Sequence, residues 1–126
     1  MENKWKNKNL FQSFTNALNG IKFVWKYGNN IKIQVVFGIL AIILGILLSI
    51  SRVEFAILIL TIFLVLILEV VNTAIEKLVD MYTLEYNEIA KIIKDVSAGA
   101  VTLSAINSII IGCIIFLPQI LKYIIK

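Results

Sequence analysis

The sequence predicts an all-α membrane protein: an N-terminal amphipathic surface helix followed by three transmembrane helices, in a single domain covering residues 1–126. Three observations lead there. Apolar residues make up 60% of the chain and charged residues 16%, more apolar surface than a soluble domain this small can hide. Three apolar stretches, at residues 31–50, 55–80 and 96–117, are long enough to cross a bilayer. Ahead of them, apolar residues fall at positions 10, 11, 14, 17, 18, 21, 24 and 25, the spacing of a helix with one apolar face.

That first helix, expected over residues 10–26, carries Phe14, Phe23 and Trp25, with Gln12, Asn16, Asn19, Lys22 and Lys26 opposite. It reads as a helix lying in the cytoplasmic interface of the membrane. Gly20 costs such a helix about 1 kcal/mol against alanine, so a close approach of another group to the backbone is expected there. Residues 1–9 are polar and lysine-rich and read as a frayed end. Gly28-Asn29-Asn30 is a turn signal. In the first span the small residues Gly38, Ala41 and Gly45 allow close helix packing. Ser51 to Glu54 forms a short outer loop, so the second span returns antiparallel beside the first. Residues 81–95 read as a charged cytoplasmic turn and helix start. The third span follows, ended by Pro118, with an amphipathic tail on the outer surface.

Lysine and arginine cluster in residues 1–32 and 77–94, while the 51–54 loop has only Arg52. The positive-inside rule then puts the N-terminus and the second loop in the cytoplasm. No apolar signal core with a cleavage site opens the chain, so the spans themselves are expected to direct insertion. With no histidine, histidine proton transfer and histidine metal ligation are excluded. Cys113 lies in an apolar run and reads as a packing residue. Six bases fall in residues 1–32, but the aromatic residues there follow an amphipathic pattern, not that of a base-stacking surface. No nucleic-acid partner is expected.

The polar groups that matter leave the second span. Six of the eight acidic residues lie between Glu69 and Asp95. On a helix turning about 100° per residue, Glu69, Asn72, Thr73, Glu76 and Asp80 share one face, and Lys77 is the exception. Glu69 is about 21 Å along the helix from Phe55 and Asp80 about 38 Å, against a hydrocarbon core of about 30 Å. The stripe therefore runs from lipid depth at Glu69, through the headgroups at Glu76, to water at Asp80. A carboxylate at membrane depth is costly unless it faces protein, water or a metal. The deeper one suits proton transfer from a group in the lipid, and the shallower one suits a hard cation such as Mg²⁺. Lys94 and Asp95 sit at the mouth of the third span, where they can hold phosphate charge and a further metal or ribose contact. Spacing alone leaves three readings open: helix-to-helix bonding inside an oligomer, a proton or cation pathway, or phosphoryl transfer without a Walker-type loop.

The residues themselves carry a resemblance. Glu69-x-x-Asn72-Thr73-Ala74-Ile75-Glu76-x-x-Val79-Asp80, with Lys94-Asp95-x-x-Ala98-Gly99-Ala100-Val101, resembles the bacterial integral-membrane diacylglycerol kinase and undecaprenol kinase family. The likeness spans nearly the whole chain. It implies a homotrimer of three-span subunits in the bacterial cell membrane, with composite active sites on the cytoplasmic side. These would transfer the γ-phosphoryl group of ATP to a membrane lipid alcohol, with Mg²⁺ as cofactor. Carried over residue by residue, it implies Glu69 as the general base and Glu76 as a magnesium ligand. Gly20, Asn72, Asp80, Glu85, Tyr86, Lys94 and Asp95 would line the nucleotide site. The Ala98-Gly99-Ala100-Val101 run and the Ile114-to-Pro118 ending look more like the undecaprenol branch, which puts undecaprenol first and diacylglycerol second.

One position departs from the pattern. The family has an acid where this chain has Gly28, and no acid lies between Glu2 and Glu54 to replace it. Either Asn29, water and nucleotide oxygens complete a weaker metal site, or the chain is a catalytically impaired member. A small proton- or cation-conducting oligomer is the reading from a different class.

Overall fold

The computed structural model describes residues 4–125 as four α-helices, and no strand occurs among them. The polar N-terminal flank expected at residues 1–9 lies partly outside the described residues, as does Lys126. Helix α1 covers Leu10–Tyr27, α2 Ile31–Leu47, α3 Arg52–Tyr82 and α4 Glu88–Ile124. Helices α3 and α4 are each long and apolar enough to cross a membrane. At 17 residues α2 is about 26 Å long, and it reaches that standard only together with α1, from which it is bent by 100°.

Each boundary has a local cause. Asn9 caps α1 by accepting the Gln12 N–H at 2.8 Å. At the other end the Gly28 N–H donates to the Val24 carbonyl at 2.6 Å, and the chain turns through Gly28, Asn29 and Asn30 into α2. A Cβ at Gly28 would stand 2.5 Å from that same carbonyl oxygen, so the turn is closed to a side chain at this position.

Helix α2 stops at Leu47 instead of running on to Ile50. Ser49 takes a left-handed backbone (φ 53°), and the Ile50 N–H bonds back to the Gly45 carbonyl at 3.1 Å. This turn folds Ile50 inward, against Leu58 and Ile115, with Ala41, Leu48, Phe55 and Ile111 around them. The second span begins earlier than Phe55, because Ser51 and Glu54 form a reciprocal capping box, at 3.1 and 3.2 Å. Much of the supposed loop is the first turn of α3.

Helix α4 starts within the turn and helix start expected at residues 81–95 and departs from expectation at its other end. It begins at Glu88, capped by Asn87, which accepts the Ala90 N–H at 3.0 Å. It also runs through Pro118 to Ile124, so the tail continues the helix and is not a separate surface segment. Proline removes only its own N–H and crowds the preceding turn. Membrane helices tolerate this where the surroundings absorb the freed carbonyl.

Helix α4 packs along α3, and α2 along another side of α3. Gly38 makes the α2–α3 approach possible, and Gly45 makes room for the turn that follows α2. A Cβ at Gly38 would meet Ile62 at 2.9 Å, and one at Gly45 would meet Ile50 at 3.0 Å. Most large apolar side chains stay exposed, among them Phe37, Leu40 and Ile43 of α2, Leu60 and Phe63 of α3, and Leu103 and Ile110 of α4. In water that surface would be prohibitive; against lipid tails or further subunits it is natural.

Candidate functional site

The site is built where α2 begins, two-thirds of the way along α3, and where α4 passes the same level. Glu69 is 1% exposed. Its two oxygens are held separately by α2: Oε1 accepts the Asn30 backbone N–H, and Oε2 accepts the Gln34 side-chain amide, both at 3.3 Å. Asn30 is the residue that starts α2, so its N–H is one the helix itself leaves without a partner. Thr73, also buried, turns its hydroxyl to the Glu69 carbonyl at 3.0 Å, which leaves the carboxylate to face α2. Gln34 has a buried Oε1 with no hydrogen-bond partner.

One to two turns further on, Asn72 is buried between α3 and α4. Its oxygen accepts the Ser97 hydroxyl at 2.8 Å, and its nitrogen donates to Glu76 Oε1 at 3.2 Å. The Asn29 amide reaches Glu76 from the α1–α2 turn, at 3.5 and 3.4 Å from the two carboxylate oxygens. Glu76 thus joins the α1–α2 turn to α3, and is linked to Ser97 of α4 only through Asn72.

At the outer end of the stripe, Lys94 of α4 pairs with Asp80 of α3 at 2.7 Å. Asp95 pairs with Lys91 on its own helix, and both side chains are more than half exposed. A pocket of about 350 Å³ at this end is lined by Asp80, Glu85, Tyr86, Lys91, Lys94 and Asp95. Gly20 lies elsewhere, on an apolar groove of about 810 Å³ between α1 and α3 that Ala17, Val70, Ala74, Lys77 and Asp80 also line. A Cβ at Gly20 would meet nothing within 4 Å among the described residues, so none of them makes the close approach expected there.

The sequence-predicted residues other than Gly20, which lines the groove, therefore fall into three groups. Glu69 is bound to α2, Asn72 and Glu76 form one hydrogen-bonded unit with Ser97, and Asp80, Glu85, Tyr86, Lys94 and Asp95 share the pocket. Asp80 alone borders both the pocket and the groove of Gly20. Sequence reasoning missed Asn30, Gln34 and Ser97 as members of the site. Ser97 carried a faint signal, one helical turn after Lys94 on the same face. Asn30 and Gln34 carried none, since which α2 residues meet Glu69 depends on how α2 docks.

No cluster of three or more carboxylate or cysteine side chains that would hold a metal occurs among the described residues. For a divalent cation, the oxygens at hand are the two of Glu76. Both amides beside it present N–H groups, which favour the carboxylate and oppose a cation. As arranged, the residues do not make a self-sufficient magnesium site.

A helical chain with membrane-length helices, a buried carboxylate on one of them and a charged pocket at the polar end of the same helix has the build of a membrane protein. Residues 15–116 match the family described as prokaryotic diacylglycerol kinase, and the chain belongs to that family. It is 40% identical over 115 residues to a diacylglycerol kinase of Synechocystis sp., covering 90% of this chain and 66% of that protein. It is 38% identical over 110 residues to the undecaprenol kinase of Bacillus subtilis, covering 87% of this chain and 89% of that one. Against the diacylglycerol kinase of Escherichia coli K12 the identity is 30% over 96 residues, covering 76% and 79%. The chain thus spans just under two-thirds of the Synechocystis protein and most of the other two. By name all three relatives are lipid kinases, and their names divide between two lipids.

Proposed function

We propose that this protein transfers the γ-phosphoryl group of ATP to the hydroxyl of a membrane lipid, undecaprenol first and diacylglycerol second. Supporting this are the family and, above all, a single observation: a helix long and apolar enough to cross a membrane encloses a carboxylate that is 1% exposed and held only by neutral donors. Each Glu69 oxygen has accepted one hydrogen bond and keeps a lone pair for another. A lipid hydroxyl can then take the place of the Gln34 amide at Oε2. Glu69 receives the hydroxyl proton as the oxygen bonds to the γ-phosphorus. The bond from that phosphorus to the β,γ-bridging oxygen breaks, giving the lipid phosphate and ADP. The proton on Glu69 later returns to water.

In this reading ATP arrives as its magnesium complex, so the cation comes with the substrate. Lys94 turns from Asp80 to the phosphates, and Asp95, Glu85 and Tyr86 border the nucleotide in the 350 Å³ pocket. Glu76 and Asn72 sit between the two ends, where the γ-phosphate must pass to reach the lipid. Helix α1 lies in the cytoplasmic interface with its exposed Phe11, Phe14, Leu18 and Trp25 toward lipid. Three copies of the chain assemble by the apolar faces of α2 to α4, in the bacterial plasma membrane with the site on the cytoplasmic side.

The lipid is tested by competition. Detergent-solubilised protein is given Mg-ATP with undecaprenol and diacylglycerol in equal amounts, and the labelled products are separated. Excess undecaprenyl phosphate supports the order proposed; excess phosphatidic acid reverses it.

A further inference from the structure

We infer that Asn29, and not residue 28, is the group that governs the charge facing Glu76, and that it leaves this protein unable to hold a divalent cation until nucleotide phosphates supply the missing oxygens. The inference deepens the kinase reading and rests on it for the nucleotide; the contact itself stands on geometry. The Asn29 amide nitrogen lies 3.4 and 3.5 Å from the two Glu76 oxygens, and Asn72 donates to one of them at 3.2 Å. The carboxylate therefore faces hydrogen donors, Asn72 within ordinary hydrogen-bond distance and Asn29 at its outer limit. Its charge is a single negative one, and hard-cation affinity rises with the number of charged oxygens.

The two amides differ in what they can do. Asn72 is buried, and its oxygen is engaged by Ser97. Asn29 is exposed, and a half-turn of its amide exchanges Nδ2 for Oδ1 against the same carboxylate. It can thus donate to Glu76 when no cation is present and accept a cation beside it when one arrives. Position 28 cannot take either part. A Cβ there falls 2.5 Å from the Val24 carbonyl oxygen and 3.1 Å from the Val24 side chain. An acid supplied at 28 would have to undo the end of α1 before reaching the site, whereas an acid at 29 is already in place.

The test uses the full chain in detergent, with Mn²⁺ as the probe and the electron paramagnetic resonance signal of free Mn²⁺ as the readout. Wild type without nucleotide is expected to retain little Mn²⁺, and to retain it once a non-hydrolysable ATP analogue is added. Asn29→Asp keeps the side-chain shape and is expected to bind Mn²⁺ without nucleotide about tenfold more tightly, or better. Gly28→Glu is expected to show no such gain. Tight nucleotide-free binding by wild type, an Asn29→Asp variant no better than wild type, or a Gly28→Glu variant that gains as much as Asn29→Asp would each overturn the inference. Wild-type protein that phosphorylates lipid while Asn29→Asp leaves Mn²⁺ affinity unchanged would overturn it without touching the kinase reading.

Discussion

At the scale of single residues, the polar stripe of α3 is three different environments. Glu69 is enclosed and held by α2, Glu76 is held by amides from two directions, and Asp80 is paired with Lys94. The stripe was legible, because a 100° period needs no partner to apply. The partners were not legible. Gln34 lies 35 residues from Glu69 and Ser97 lies 25 from Asn72, so these contacts exist only once helices dock. Helix bonding within the chain is present, since Glu69 ties α3 to α2 and Asn72 ties it to α4. It leaves each Glu69 oxygen with acceptor capacity to spare. Gln34→Leu removes one of the two donors from a buried carboxylate. It is expected to cost about 1–3 kcal/mol of stability in thermal unfolding in detergent, and to lower kcat more than it raises KM for lipid. Lys94→Ala removes the ammonium proposed to meet the phosphates. It is expected to raise KM for ATP severalfold with little change in KM for lipid, which initial-rate kinetics with each substrate varied will check.

At the scale of elements, the helix ends were the least legible feature, though two of them were written in the chain. Ser51 and Glu54 spell a capping box, and Asn87 stands at a suitable cap position, so α3 and α4 start earlier than the apolar runs suggest. Apolarity marks the part of a helix that lies in lipid, whereas capping marks where the helix begins; in a membrane protein the two need not coincide. Pro118 misled in the opposite sense, because a proline that ends a helix in water can be carried within one in lipid. Ser51→Ala is expected to cost about 1 kcal/mol, read as a lowered unfolding temperature without loss of specific activity. Gly38→Leu forces a side chain against Ile62, which a Cβ alone would approach to 2.9 Å. Here about 1–3 kcal/mol is expected to be lost, and because α2 carries Asn30 and Gln34, activity should fall with it.

At the scale of the whole molecule, class and family were legible because they rest on quantities that accumulate along the chain: 60% apolar residues, membrane-length runs and paired motifs. The apolar surface of α2, α3 and α4 is exposed in a single copy of the chain, as a membrane protein's is outside its lipid. Orientation is the testable consequence. Cysteines placed singly at Asn87, between α3 and α4, and at Val53, at the opposite end of α3, on a Cys113→Ser background, should label differently in intact cells. A membrane-impermeant maleimide is expected to reach position 53 and to spare position 87; the reverse pattern would invert the topology and remove the site from cytoplasmic ATP.

The proposed chemistry depends most on the carboxylate at lipid depth. Glu69→Gln keeps the shape of the side chain and removes the base, so transfer of ³²P from Mg-[γ-³²P]ATP to undecaprenol and to diacylglycerol is the direct measurement. Wild type should label at least one of the lipids. Glu69→Gln should bind a non-hydrolysable ATP analogue as wild type does, while its rate of transfer falls by about 10²–10⁴. A Glu69→Gln protein that phosphorylates lipid at the wild-type rate would contradict the assignment of Glu69 as the base.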